Sequence, residues 1–121
     1  MTELIKGRPK YNLEERTAQF GEEVIKFCKE INQDTISKPL INQLVRSATS
    51  IGANYMEANG ASSRKDFKNK IYICKKESQE TKHWLRMIRQ CKPFREEKLN
   101  ELSREVQELT LIFGKIVSTM K

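Results

Sequence analysis

Apolar side chains recur every three or four residues along most of the chain, and polar turn formers interrupt that rhythm three times. The first run holds Leu13, Thr17, Phe20, Val24, Phe27 and Ile31, which fall on one face of a helix. Asn12 stands where a side chain can accept from free N–H groups, and Glu15 completes a capping-box-like pair. The polar residues after Ile31 break the run. Ser37 is expected to start a second helix, with Pro39 tolerated in its first turn. Ile41, Leu44, Ala48, Ile51, Tyr55 and Ala58 carry the rhythm to Asn59-Gly60, a pair that accepts the left-handed conformation at a helix end. Ser63 is the expected cap of a third helix, with Asp66 in its first turn. Phe67, Ile71, Cys74, Leu85 and Ile88 mark its core face, with Ser78 and Thr81 between them, until Pro93 interrupts. Leu99, Leu102, Val106, Leu109, Phe113, Ile116 and Met120 define the fourth helix, and Leu111, Ile112 and Val117 add a second apolar strip to its C-terminal half.

These runs predict four amphipathic helices, at approximately 13–31, 38–59, 63–90 and 95–119, in an all-α single domain spanning 1–121. Long helices joined by short turns imply an antiparallel up-down-up-down four-helix bundle packed near +20°. A chain of 121 residues suffices for one core. Three prolines and five glycines among 32% charged residues favour long helices over sheets. No apolar run reaches the about 20 residues that cross a bilayer, so no membrane association is expected. The N-terminal "MTELIKGRPKYN" lacks the apolar core of a secretory signal. Cys28, Cys74 and Cys91 are odd in number and far apart, and read as reduced thiols of a cytoplasmic protein.

Charge placement adds a candidate surface. Between Ala61 and Arg95 there are eleven Lys/Arg and three Asp/Glu, while the rest of the chain holds twelve basic and thirteen acidic residues. The +7 excess therefore sits in one segment, where it creates a directed field for an anionic partner. Lys68, Lys75, Lys82 and Arg89 recur every seventh residue and stack along one line of the third helix. Arg64 and Arg86 fall beside that line, and no acidic residue of the helix interrupts it. At about 1.5 Å per residue the row runs roughly 30 Å. It fits a nucleic-acid backbone, where cations neutralise phosphates and release counterions. The plainer alternative is a solvated face whose lysine stems cover the core edge. Nothing in the row reads bases, so binding without sequence specificity, to RNA or DNA, is the expectation.

Catalysis finds little footing. His83 is the single histidine, between Lys82 and Trp84, and a lone helical histidine is usually a surface residue. Close-set Cys and His ligands for zinc are absent, as is a glycine-rich phosphate loop. Glu77 and Glu80 share a face and could do acid–base or metal work, but no Glu-x-x-His motif accompanies them, and a salt-bridging strip is the plainer reading. No enzyme activity, cofactor or metal is expected.

Two further surfaces invite contact. Gln43, Ser47, Ser50, Asn54 and Glu57 form a polar, nearly uncharged seam on the second helix, set opposite its apolar face. Small residues at this spacing let another helix approach closely, within the bundle or from another subunit. The third helix carries Ile73, Glu77, Glu80 and Trp84 away from the basic row, and tryptophan is enriched at interface centres. Together with the second strip on helix four, these surfaces suggest a homo-oligomer.

The strings "QLVRSATSIGANYMEA" and "KDFKNKIYICKKESQETKHWL" resemble the four-helix-bundle proteins encoded in intervening sequences of bacterial large-subunit ribosomal RNA genes, sometimes labelled S23-like. The pattern Arg46-Ser47-x-x-Ser50-Ile51-x-x-Asn54-x-x-Glu57, followed by Glu80 and Trp84-Leu85, does not reduce to helix periodicity. That family is similar to the accessory variability determinant of diversity-generating retroelements, a basic pentameric barrel that binds a reverse transcriptase and nucleic acid. The resemblance implies an antiparallel bundle, a pentamer before a dimer, nucleic acid as ligand with RNA preferred for the ribosomal setting, and no enzyme activity. It leaves a protein–protein adaptor or accessory scaffold, with a reverse transcriptase as possible partner, as the second expectation.

Overall fold

The computed structural model describes residues 12–120. Most of the segment read for a secretory signal therefore lies outside the described residues. Four helices account for nearly all of the rest: α1 Leu13–Lys29, α2 Ser37–Asn59, α3 Arg64–Ile88 and α4 Glu96–Thr119. Each packs its backbone on its two neighbours in the cyclic order α1, α2, α3, α4, and Tyr55 of α2 reaches Phe113 of α4 across the diagonal. Gly21 lies beside Thr49 and Gly52 beside Thr17, so α1 and α2 run antiparallel. Arg46 meets Glu77 and Glu80 while Glu57 meets Lys70, so α2 and α3 run antiparallel. Arg16 meets Glu105 while Arg95 meets Glu30, which sets α1 against α4 in the same way. The result is an all-α, up-down-up-down bundle.

The apolar stripes read from the sequence form its core. Phe20, Val24, Phe27, Leu44, Ala48, Ile51, Ile71, Cys74, Ile88, Leu99, Leu102, Val106, Leu109 and Phe113 have no solvent exposure. Tyr55, Phe67 and Ile116 close the edges, half-buried. The second strip on α4 divides. Val117 is buried and Ile112 packs on the core, so the bundle takes both, and Leu111 alone stays 62% exposed.

Helix ends depart from expectation where the local hydrogen bonds found better partners. Asn12 makes no side-chain cap, and its backbone carbonyl accepts from Arg16 instead. Ser37 lies inside α2 rather than before it. The Asp34 carboxylate accepts from the N–H groups of Ile36 and Ser37, and the Ser37 hydroxyl donates to the Asn32 carbonyl. A carboxylate is the stronger acceptor at the positive end of a helix, which explains the displacement. Gly60 has φ −95°, so α2 ends without a left-handed residue; its N–H bonds back to the Met56 and Glu57 carbonyls. α1 stops at Lys29, two residues short of Ile31, as the chain tightens into turns bonded to the Phe27 and Cys28 carbonyls. Ser63 does cap α3, accepting from the Asp66 N–H at 3.0 Å.

Candidate nucleic-acid interface

The cations of the row lie on the α4 side of α3, whereas Glu77, Glu80 and Lys70 lie on its α2 side. Arg64, Lys82 and Arg86 are exposed, and Lys68, Lys75 and Arg89 are half-buried. The Lys75 stem rests on α4, with Cε about 3.8 Å from where a Cβ on Gly114 would stand. On the other side Glu77 and Glu80 both grip Arg46 of α2, at 3.2 and 2.5 Å. Glu77 and Glu80 are thus turned away from the cationic row of their own helix. Among the described residues, Arg64, Lys68, Lys75, Lys82 and Arg86 form no ion pair.

Arg89 leaves the row. Its Nη1 donates to Glu96 and its Nη2 to the Asn100 side-chain oxygen, both at 3.0 Å. A carboxylate from the start of α4 supplies the acid that α3 itself lacks along the line, and the guanidinium becomes a tie between two helices. The register set by Arg89 with Asn100 and Lys75 with Gly114 places Lys82 level with Gln107. Asn100, Ser103, Gln107, Thr110 and Gly114 recur on α4 at three- and four-residue spacing, a face without charge. The other cations consequently meet no carboxylate from across the seam.

The seam of α2 flanks the apolar face rather than opposing it, and it serves α3 within the same chain. Ser47 is fully buried, accepting a 2.9 Å hydrogen bond from Thr81. Asn54 donates to the carbonyl and hydroxyl of Ser50 on its own helix. Glu57 pairs with Lys70, and Gln43 accepts from Arg46. Small side chains with hydroxyls let the two helices approach without leaving a buried polar group unpaired. Ile73 and Trp84 border the same seam, half-buried, and the Trp84 indole N–H is buried without a partner. His83 is exposed, its ring edge-on to Trp84 at 4.9 Å.

A cluster at the α1/α4 seam escaped the sequence reading. Arg16, 2% exposed, donates to both Glu105 oxygens at 2.8 and 2.9 Å and to Glu108 at 2.9 Å. Burial pushes the Glu105 carboxyl up, against the pull of Arg16, while the hydrogen bond to Glu105 raises the guanidinium further. The signal was present: Arg16 sits between Leu13 and Phe20, and Glu105 between Leu102 and Leu109, opposite charges inside two apolar stripes. Burial pushes the Cys28 and Cys74 thiols up to about 12, which leaves them inert. Among the described residues no three His, Cys, Asp or Glu side chains gather as metal ligands would, and no helix is long and apolar enough to cross a membrane.

Comparison with known proteins places the bundle. The chain is similar to the crystal structure of a protein with unknown function from the S23 ribosomal protein family of Bacteroides thetaiotaomicron VPI-5482. The two share 28% identity and a TM-score of 0.74, over 87% of this chain and 97% of that one. No curated protein matches. Residues 10–115, nearly the whole bundle, match the family described as 23S rRNA-intervening sequence protein, and the chain therefore belongs to that family.

Proposed function

We propose that this chain is a non-catalytic nucleic-acid-binding protein that engages phosphates through the α4 side of α3, with RNA preferred. One observation carries the reading. Arg64, Lys68, Lys75, Lys82 and Arg86 lack ionic partners among the described residues, while Glu77 and Glu80 of their helix are drawn to Arg46 on the far side. Unpaired cations in a row repel one another, and a polyanion removes that cost while releasing its own counterions. The family's ribosomal name supports RNA over DNA.

The same reading includes assembly into a homo-oligomer of cytoplasmic protein, with five copies the number carried by the family resemblance. A groove of about 300 Å³ between α1 and α2, bordered by Ile25 and Met56, supports a contact between copies. Sedimentation equilibrium at micromolar concentration should give a multiple of the 14.2 kDa chain; a monomer would remove this part.

Binding of RNA and DNA across a salt series tests the cationic row. Each phosphate contact should contribute about −0.9 to the slope of log K on duplex DNA and about −0.7 on single strands. Lys75→Glu with Lys82→Glu should weaken binding to all sequences alike, because phosphate contacts do not read bases. If that double variant binds as wild type with an unchanged slope, the row is a solvated face. An adaptor or accessory scaffold, with a protein such as a reverse transcriptase as partner, then becomes the better account.

A further inference from the structure

Tyr72 stands on the solvent side of α3, 51% exposed. No hydrogen bond or ring contact engages it among the described residues. Lys68 is four residues before it, and Lys75 and Lys76 are three and four after. On a helix those spacings bring Cβ atoms within about 5–6 Å, so cations flank the ring one turn above and one turn below. Lys65 extends the group by a further turn. None of these lysines has an ionic partner among the described residues. Tyr72 is thus an exposed ring set among cations by helical spacing.

The chemistry of this patch narrows what can cover it. An apolar protein surface laid on Tyr72 would strip water from several ammonium groups and return no counter-charge. An acidic protein surface would supply the charge but leave the ring without a flat partner. A polynucleotide supplies both, a base for the ring and phosphates on either side. Its strands must be unpaired, because a duplex keeps its base faces stacked inside and offers only base edges and backbone. We infer that Tyr72 is a base-stacking residue, and that Lys68, Lys75, Lys76 and Tyr72 form a site for single-stranded nucleic acid. This rests on the nucleic-acid reading above and specifies the strand state and the residue that senses it.

The test uses the full chain with a labelled unstructured RNA of about 20 nucleotides, the same RNA annealed to its complement, and heparin as a polyanion without bases. Tyr72→Leu should weaken single-strand binding about five- to a hundredfold, the range that loss of one stacked base produces. Its salt slope should stay unchanged, since no phosphate contact is removed. Tyr72→Phe should bind the single strand within about twofold of wild type, because the ring is kept. Duplex and heparin affinity should be the same for wild type and both variants. Circular dichroism establishes that each variant is folded. If Tyr72→Leu binds the single strand as tightly as wild type, or if Tyr72→Phe loses as much as Tyr72→Leu, the stacking role is overturned. Equal loss on duplex and heparin overturns it as well. The outcomes separate from the broader reading, because Lys75→Glu with Lys82→Glu should still weaken single strand, duplex and heparin when Tyr72 proves idle. If that double variant also changes nothing, both fall together.

Discussion

The two seams that border α4 use charge in opposite ways. On the α1 side every cation that crosses has a carboxylate: Arg16 with Glu105 and Glu108, Lys98 with Glu23 and Glu101, Arg95 with Glu30. On the α3 side Arg89 alone is paired across the seam, and Lys75 and Lys82 face a stripe of Asn, Ser, Gln, Thr and Gly. With 23 basic and 16 acidic residues, carboxylates are in short supply. The gathering of unpaired cations beside one neutral helix face is not required by that shortage. Charge on the first seam holds helices in register. Apart from Arg89, charge on the second forms no ion pair among the described residues, which leaves it free for a ligand.

The strongest way to break the contrast is to strand the buried charge. Glu105→Ala should destabilise the bundle by about 3 kcal/mol, at the low end for a broken buried pair because Glu108 still reaches Arg16. Urea denaturation reads the loss. Replacing the pair together, Arg16→Met with Glu105→Leu, should recover most of it, since apolar isosteres of a buried ion pair are often neutral or better. A double variant as unstable as the single one would show that the pair is needed for more than its own neutralisation.

A smaller effect comes from the uncharged α2/α3 seam. Ser47 is fully buried between α2 and α3 and accepts from Thr81, so Ser47→Leu should cost about 1–3 kcal/mol by overpacking. Chemical denaturation with no loss of stability would mean that α2 and α3 are less closely packed than their contacts indicate.

Acid sharpens the comparison from the α1 side. The hydrogen bond from Lys98 holds the Glu23 carboxyl below its ordinary value of 4.5. A depressed carboxyl stabilises the fold fully above its unfolded value and loses that contribution as pH falls through the folded one. Wild type should therefore lose stability below about pH 4.5, and Glu23→Gln should remove about 1 kcal/mol of that loss. Glu105 works in the reverse sense, since burial raises its carboxyl and favours the protonated form in the fold. Thermal melts between pH 3 and 7 check both directions.

The least disturbance is expected on the other seam. Lys82→Glu should shift stability by less than about 0.5 kcal/mol, because Lys82 is exposed and unpaired. A large loss on denaturation would mean that the cations of α3 hold the fold after all, and the contrast between the seams would fail.

The apolar periodicity was enough to place the four helices, because Leu13 to Met120 repeat at a period that only a helix can bury on one face. Cap assignments were weaker. Asn12 and Ser37 have cap-forming side chains, but which acceptor wins depends on how the turn brings Asp34 to the N–H groups of Ile36 and Ser37. The α3 cations were legible as a row for the same periodic reason. The pairing of Arg89 with Glu96 was not legible, because that acid comes from α4 across a turn. The Arg16 cluster was missed because opposite charges in two stripes remain only charges until the stripes face one another.

By itself, then, the sequence determined which residues share a helix face, where the helices break, and that positive charge concentrates on α3. These are local properties, set by a period of 3.6 residues and by side-chain chemistry. The tertiary structure decided which charges meet. It sent Glu77 and Glu80 to Arg46, Glu105 to Arg16 and Glu96 to Arg89, and it left Lys76 and Tyr72 exposed and Lys68 and Lys75 half-buried without an acid among the described residues. Pairing depends on the distance between helices and on their register, and both come from how four apolar stripes pack around one core.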